Sequence, residues 1–152
     1  MVRHLIVNKI IHQSLLSAGI PSILEPAHLS KHNGKHPDGL SIIPFSKGKS
    51  LMWDFTCPHP LAISHLNSRK VAIKAESIKK DKYKEFNNDY LFIPIAVETL
   101  GNYGMSAEII IKDIGKRIAD KRQDQREIFY LRHRIAIGIQ KGNAIAFNFA
   151  LT

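Results

Sequence analysis

Two acids stand where charge is expensive. Asp38 sits in a turn-forming "PDG", and Asp54 interrupts the apolar run "LMWDF". At the two-residue period of a strand, Leu51, Trp53, Phe55 and Cys57 share one face, and Met52, Asp54 and Thr56 share the other. A carboxylate buried without a partner costs several kcal/mol, so Asp54 calls for a cation, donors or water. Asp38 precedes the partner strand of the hairpin that "SKGKS" predicts, which brings it towards Asp54. Two carboxylates converging at the end of a sheet suit a hard divalent cation, above all Mg²⁺. The alternative leaves Asp38 as a turn residue and Asp54 on a solvated strand face.

The segment from Asn67 to Asn88 has helical spacing. Val71, Ala72, Ala75, Ile78, Tyr83 and Phe86 form an apolar stripe, with Lys70, Lys74, Lys80, Asp81 and Lys84 opposite. Lys79 and Lys82 project within the stripe. They need an anionic partner or an aqueous cleft, unless their stems lie buried while the ammonium groups reach water. Two acids and a lysine suit metal-dependent phosphodiester hydrolysis. The carboxylates would hold the metal, and the lysine would orient the nucleophile or stabilise charge developing on phosphorus.

Such a constellation needs a frame. At 152 residues the chain has the length of one domain, residues 1–152, with no internal repeat or long linker. A helix over Leu5–Ala18 ends at Gly19 and Pro21. A short strand "SILE" stops at Pro26, and "LSIIPF" and "SLMWDFTC" pair through Lys47-Gly48. After the lysine helix, "YLFIPIAVETL" reads as a strand that Pro94 makes bulged or peripheral. Helices follow over Ser106–Lys121 and Gln125–Lys141, the second stopping at Gly142-Asn143. The order α-β-β-β-α-β-α-α predicts an α/β domain, a mixed central β-sheet flanked by helices.

The charge balance is +9, and seven basic residues against two acids fall between Arg69 and Lys84, so a polyanion is a natural partner. Lys35 and the rim of the long helix, Lys70, Lys74 and Lys80, are the candidate nucleic-acid contacts. No apolar run has the length of a membrane span, and the interrupted N-terminus "MVRHLIVNKIIHQ" is unlike a signal peptide. The single Cys57 excludes an internal disulfide and a multi-cysteine zinc site. The expectation is an intracellular protein with no membrane partner and no small-molecule cofactor.

The ordered set "LEP…GKHPDGLSIIP…LMWDFT…KKDKY" resembles the PD-(D/E)xK restriction-like endonuclease domain of site-specific non-LTR retrotransposon polyproteins. The later "FIPIAVETLGNYG" and "IQKGNA" are similar to retroelement-derived proteins carrying that domain, so the resemblance spans nearly the whole chain. It implies a restriction-endonuclease-like fold that cleaves DNA with Mg²⁺ or Mn²⁺, in the nucleus. Asp38 and Asp54 match its metal-binding carboxylates, Lys79 or Lys82 its catalytic lysine, and Tyr83 the tyrosine that follows. Glu25, in "LEP", matches an upstream acid that would join the metal set, or is simply a strand-end residue before proline. The chain departs from the pattern at Thr56, which occupies the usual lysine position, and at His36, where a more basic residue commonly precedes "PD". A reverse transcriptase portion is missing if the chain is a fragment. The alternative is an inactive DNA-binding or scaffolding remnant of the same fold.

Other signals carry less. His28, His32 and His36 recur every four residues, but in a loop-forming segment rather than a helix. Cys57 with His59 or His65 spells a nucleophile and base, yet its alternation with Trp53 and Phe55 reads as core. Glu98 either adds a carboxylate or caps a turn. Arg132, His133 and Arg134 either contact phosphates or form a solvated face.

Overall fold

The computed structural model describes residues 2–27, 29, 34–60 and 69–151. Helix α1 (Val2–Ser17) leads into strands β1 (Ser22–Leu24), β2 (Gly39–Ser46) and β3 (Lys49–Thr56). Helix α2 (Lys70–Lys82) and a 3₁₀ turn, Lys84–Phe86, cross to β4 (Tyr90–Ala96). Helices α3 (Met105–Arg122) and α4 (Glu127–Leu151) complete the chain. The protein is a mixed α/β fold with a four-stranded sheet in the order β1-β2-β3-β4. The first three strands are antiparallel, and β4 runs parallel to β3.

Local chemistry explains these boundaries. α1 ends in a Schellman motif around Gly19, whose φ is 82°: Ile20 N–H donates to the Leu15 carbonyl and Gly19 N–H to that of Leu16. The β2–β3 hairpin turns on Lys47 and Gly48 with φ of 51° and 72°, the two positive values a tight primed turn requires. In β2 the register slips between Leu40 and Pro44. There the Ser41 hydroxyl accepts the Leu51 N–H at 2.8 Å and donates to the Ile43 carbonyl at 2.7 Å, filling the gap in the ladder. Gly39 faces Trp53 across the strand pair, and a Cβ there would overlap the indole ring.

Pro94 lies in an edge strand, where a proline is tolerated. Val97 N–H bonds towards β3, at Thr56, whereas Ala96 N–H points away from it. By alternation the Pro94 nitrogen also points to the free edge, and the ladder loses nothing.

The sheet separates two cores. On one side α1, α3 and α4 cover Leu51, Trp53, Phe55, Ile95 and Val97. On the other, Met52, Tyr83 and Phe92 form a smaller cluster beneath α2. Asp54 belongs to that second face with Met52, as the strand period predicts.

Three expected elements differ. The lysine helix is shorter than expected: Asn67 lies outside the described residues, and α2 begins at Lys70 and tightens after Lys82. Its inward stripe is Ala72, Glu76, Lys79 and Tyr83, while Ile78 faces solvent. α4 does not stop at Gly142-Asn143 but continues to Leu151. Gly142 lacks a Cβ because Arg3 of α1 packs against it, and Asn143 accepts from Arg3 Nη1 at 2.8 Å. Those residues serve helix packing rather than termination. In α1, Leu5 and Leu16 are exposed, and Asn8 and Ser14 are buried in their stead.

Candidate functional site

Asp38 stands at the entrance to β2 and Asp54 in the middle of β3, 8% and 3% exposed. The β2–β3 pairing brings them together. Asp38 N–H donates to the Trp53 carbonyl at 2.9 Å, and Asp38 Oδ2 accepts the Phe55 N–H at 2.6 Å, so Asp38 clasps the backbone on both sides of Asp54. This places the Asp38 carboxylate within electrostatic reach of Asp54. α2 lays Lys79 over them, with Nζ 2.6 Å from Asp54 Oδ2. That ion pair falls outside hydrogen-bond geometry, and Oδ2 has no hydrogen-bond donor among the described residues although it is buried.

Burial first, and then the Asp38 charge, push the Asp54 carboxyl up to about 6, against the pull of Lys79. Two carboxylates and one lysine in a space with little water resist holding both negative charges. A divalent cation would relieve this imbalance.

His4 completes the cluster from α1. Its Nε2 lies 3.0 Å from Asp38 Oδ2. A chain of contacts orients the ring: Trp53 Nε1–H donates to Asn8 Oδ1 at 3.1 Å, which turns the Asn8 amide nitrogen towards His4 Nδ1 at 3.3 Å. The Nε2 proton is thereby aimed at Asp38. The hydrogen bond to Asp38 raises the His4 pKa, outweighing burial. Nothing in the local sequence marks His4 or Asn8. They belong to the site only because α1 packs across the β3 face.

The other expected residues are placed as follows. Lys82 is exposed, its Nζ 5.3 Å from the Tyr83 ring centroid, and the ion pair to Asp54 comes from Lys79. Tyr83 is buried and stacked on Phe92 at 4.5 Å between centroids. Burial, then Asp54 and Asp38, drive its phenol pKa upward, so it can donate a hydrogen bond but not act as a base near neutrality. Glu25 is exposed beyond β1 with φ of 50°, and its N–H donates to the Asp38 carbonyl at 2.8 Å. It shares with His36, Pro37 and Asp38 a cleft of about 480 Å³. Lys35 is committed to Glu85 at 2.9 Å. Lys70, Lys74 and Lys80 are exposed on α2.

His28, His32 and His65 lie outside the described residues. His59 contacts the Thr99 hydroxyl at 2.7 Å, and burial raises the Cys57 thiol. Among the described residues no group of three His, Cys, Asp or Glu gathers to hold a metal. Mg²⁺ commonly takes one or two carboxylates and completes its shell with water and substrate phosphate, so the all-oxygen pair Asp38 and Asp54 fits such an ion.

Two further buried acids do structural work. Glu98 is fully buried and accepts the Ala72 N–H at 3.0 Å, capping α2, whose N-cap residue Arg69 offers no side-chain cap. Glu76, on α2, accepts the Ser106 and Ala107 N–H groups at 2.8 and 2.9 Å and that of Ala96 at 3.1 Å. It therefore caps α3 and binds the edge of β4. Gly104 leaves room for that carboxylate, which a Cβ would strike. The two glutamates fix α2, and with it Lys79, against the sheet.

Among the described residues no helix is long and apolar enough to cross a membrane. No family model matches the chain, and no curated protein matches its sequence.

Proposed function

We propose that this chain is a metal-dependent DNA endonuclease domain of the PD-(D/E)xK type, restriction-endonuclease-like in fold and of retrotransposon origin, acting in the nucleus. One observation carries the reading: two buried carboxylates from adjacent strands meet, and a lysine from the following helix is aimed at them. Asp38 and Asp54 would hold Mg²⁺ or Mn²⁺, with Glu25 lining a cleft next to Asp38. When bound, the ion supplies a more acidic water and a polarised phosphate. Lys79 places a fixed positive charge beside the acids, where it orients the attacking water or offsets charge building on the phosphate. Tyr83 packs under the site and can donate a hydrogen bond, and His4 with the Phe55 N–H holds Asp38 in place. DNA would lie along the exposed lysines of α2.

Purified protein should nick supercoiled plasmid with Mg²⁺ or Mn²⁺. Asp54→Ala and Lys79→Met should abolish nicking, whereas Lys82→Met should retain it. Nicking by Asp54→Ala at the parent rate would sink the assignment. A second reading, a DNA-binding module that keeps the fold without catalysis, is favoured by the fact that Lys79 already occupies Asp54 and only two carboxylates gather. Mn²⁺ binding that vanishes in the Asp38→Asn, Asp54→Asn double variant supports the enzyme, and absence of Mn²⁺ binding supports the module.

A further inference from the structure

A second cleft, lined by cations, lies between α1 and α4, away from the carboxylates. Ile6, Ile10 and Ile137 line it together with Lys9, Arg134 and Lys141, in a space of about 340 Å³. Gly138 lets the helices close here, since a Cβ would press on Ile6 and Ile10 at 2.9 and 3.0 Å. The charges in this cleft have the same sign, and none of its lining residues is an acid.

Arg134 is the informative residue. Its Nε and Nη2 are buried and have no hydrogen-bond acceptor. The other six arginines each have one: Arg3 on Asn143, Arg69 on Tyr103, Arg117 on Asp113, Arg122 on Glu127, Arg126 on Asp124 and Arg132 on Glu108. Nε and Nη2 form one edge of the guanidinium, the fork that takes two oxygens of a single anion side by side. A covered guanidinium edge without an acceptor is costly, and the described residues offer it none. Lys9 and Lys141 likewise form no ion pair among the described residues.

We infer that this α1–α4 cleft binds a phosphate group, received by the Nε–Nη2 edge of Arg134 after a small shift of the side chains covering it, and flanked by Lys9 and Lys141. The site is independent of the carboxylate pair and of the nuclease reading. It also gives Arg134 a role that its sequence neighbourhood, with Arg132 and His133, only hints at.

The test uses the whole chain in EDTA, following the backbone amide resonances of Ile137 and Gly138 in the cleft, which every variant keeps, while inorganic phosphate is added in one arm and a duplex oligonucleotide without terminal phosphates in the other. A shift saturating with phosphate, weakened about tenfold in Arg134→Lys, identifies a site for small phosphates. A shift with the oligonucleotide, lost in the same variant, identifies a contact to the nucleic-acid backbone. Either result supports the site. No shift in either arm, or equal affinity in Arg134→Lys and in Lys9→Ala, Lys141→Ala, overturns it. Arg134→Lys keeps the charge, and its melting temperature checks that the fold survives. Asp54→Asn should leave the inorganic-phosphate titration unchanged.

Discussion

At neutral pH Asp54 keeps its charge against its surroundings. Unfolded, the carboxyl titrates near 3.8, and folded it titrates at about 6. Between those values the folded state binds the extra proton, so stability falls as pH rises through that window, by roughly 3 kcal/mol. His4 acts in the same direction: its pKa is raised, so its contribution is complete below the unfolded value of 6.5 and is lost as pH climbs through the folded one. Metal-free protein should therefore lose stability as pH rises from 3.8 through about 6, and further above 6.5 as His4 gives up its proton. Asp54→Asn should flatten this dependence and gain about 2 kcal/mol at the higher pH, measured by urea unfolding in EDTA. A variant as pH-sensitive as the parent would contradict the coupling. Asp54 stood out by interrupting an apolar strand, and Lys79 and Lys82 by falling within an apolar helix stripe, but only the fold shows that Lys79 is the one that meets Asp54. His4 was not, since a histidine in a helix carries no mark of an acid that folding brings to it from residue 38.

At the scale of elements, α2 is held by exchange of caps: Glu98 closes its start, and its own Glu76 closes the start of α3. Glu76→Gln keeps the shape but loses one acceptor and the negative charge facing a helix N-terminus. It should cost about 2 kcal/mol. Gly104→Ala, which forces a methyl against the same carboxylate, should cost at least as much. Chemical denaturation resolves both, and a neutral result for either would mean that the cap is dispensable. Element order and the hairpin were legible from turn residues and hydrophobic period. The caps were not, because Glu76 amid lysines looks like an ordinary solvated charge. Gly142-Asn143 misled for a related reason: a glycine that admits a neighbouring helix has the same letter as one that ends its own.

For the whole molecule, the +9 balance is unevenly available. Lys35, Arg117, Arg122, Arg126 and Arg132 are already paired with acids, whereas Lys74 and Lys80 on α2 are exposed with no acid paired to them among the described residues. DNA affinity should fall steeply with salt, and Lys74→Ala should lower that slope by about one, while Lys35→Ala leaves it nearly unchanged. Fluorescence anisotropy across a salt series decides it. Composition disclosed the excess charge, but only tertiary pairing shows which cations remain for a partner. The edges of the sheet carry a consequence of their own. β1 is three residues long, and along the outer side of β4 Pro94 offers no donor while Glu76 has taken the Ala96 N–H. Neither margin presents the regular row of amides on which a stray strand could grow, so the protein is guarded against edge-to-edge aggregation. Pro94→Val restores a donor on that margin, and light scattering on warming should show it clouding before the parent does.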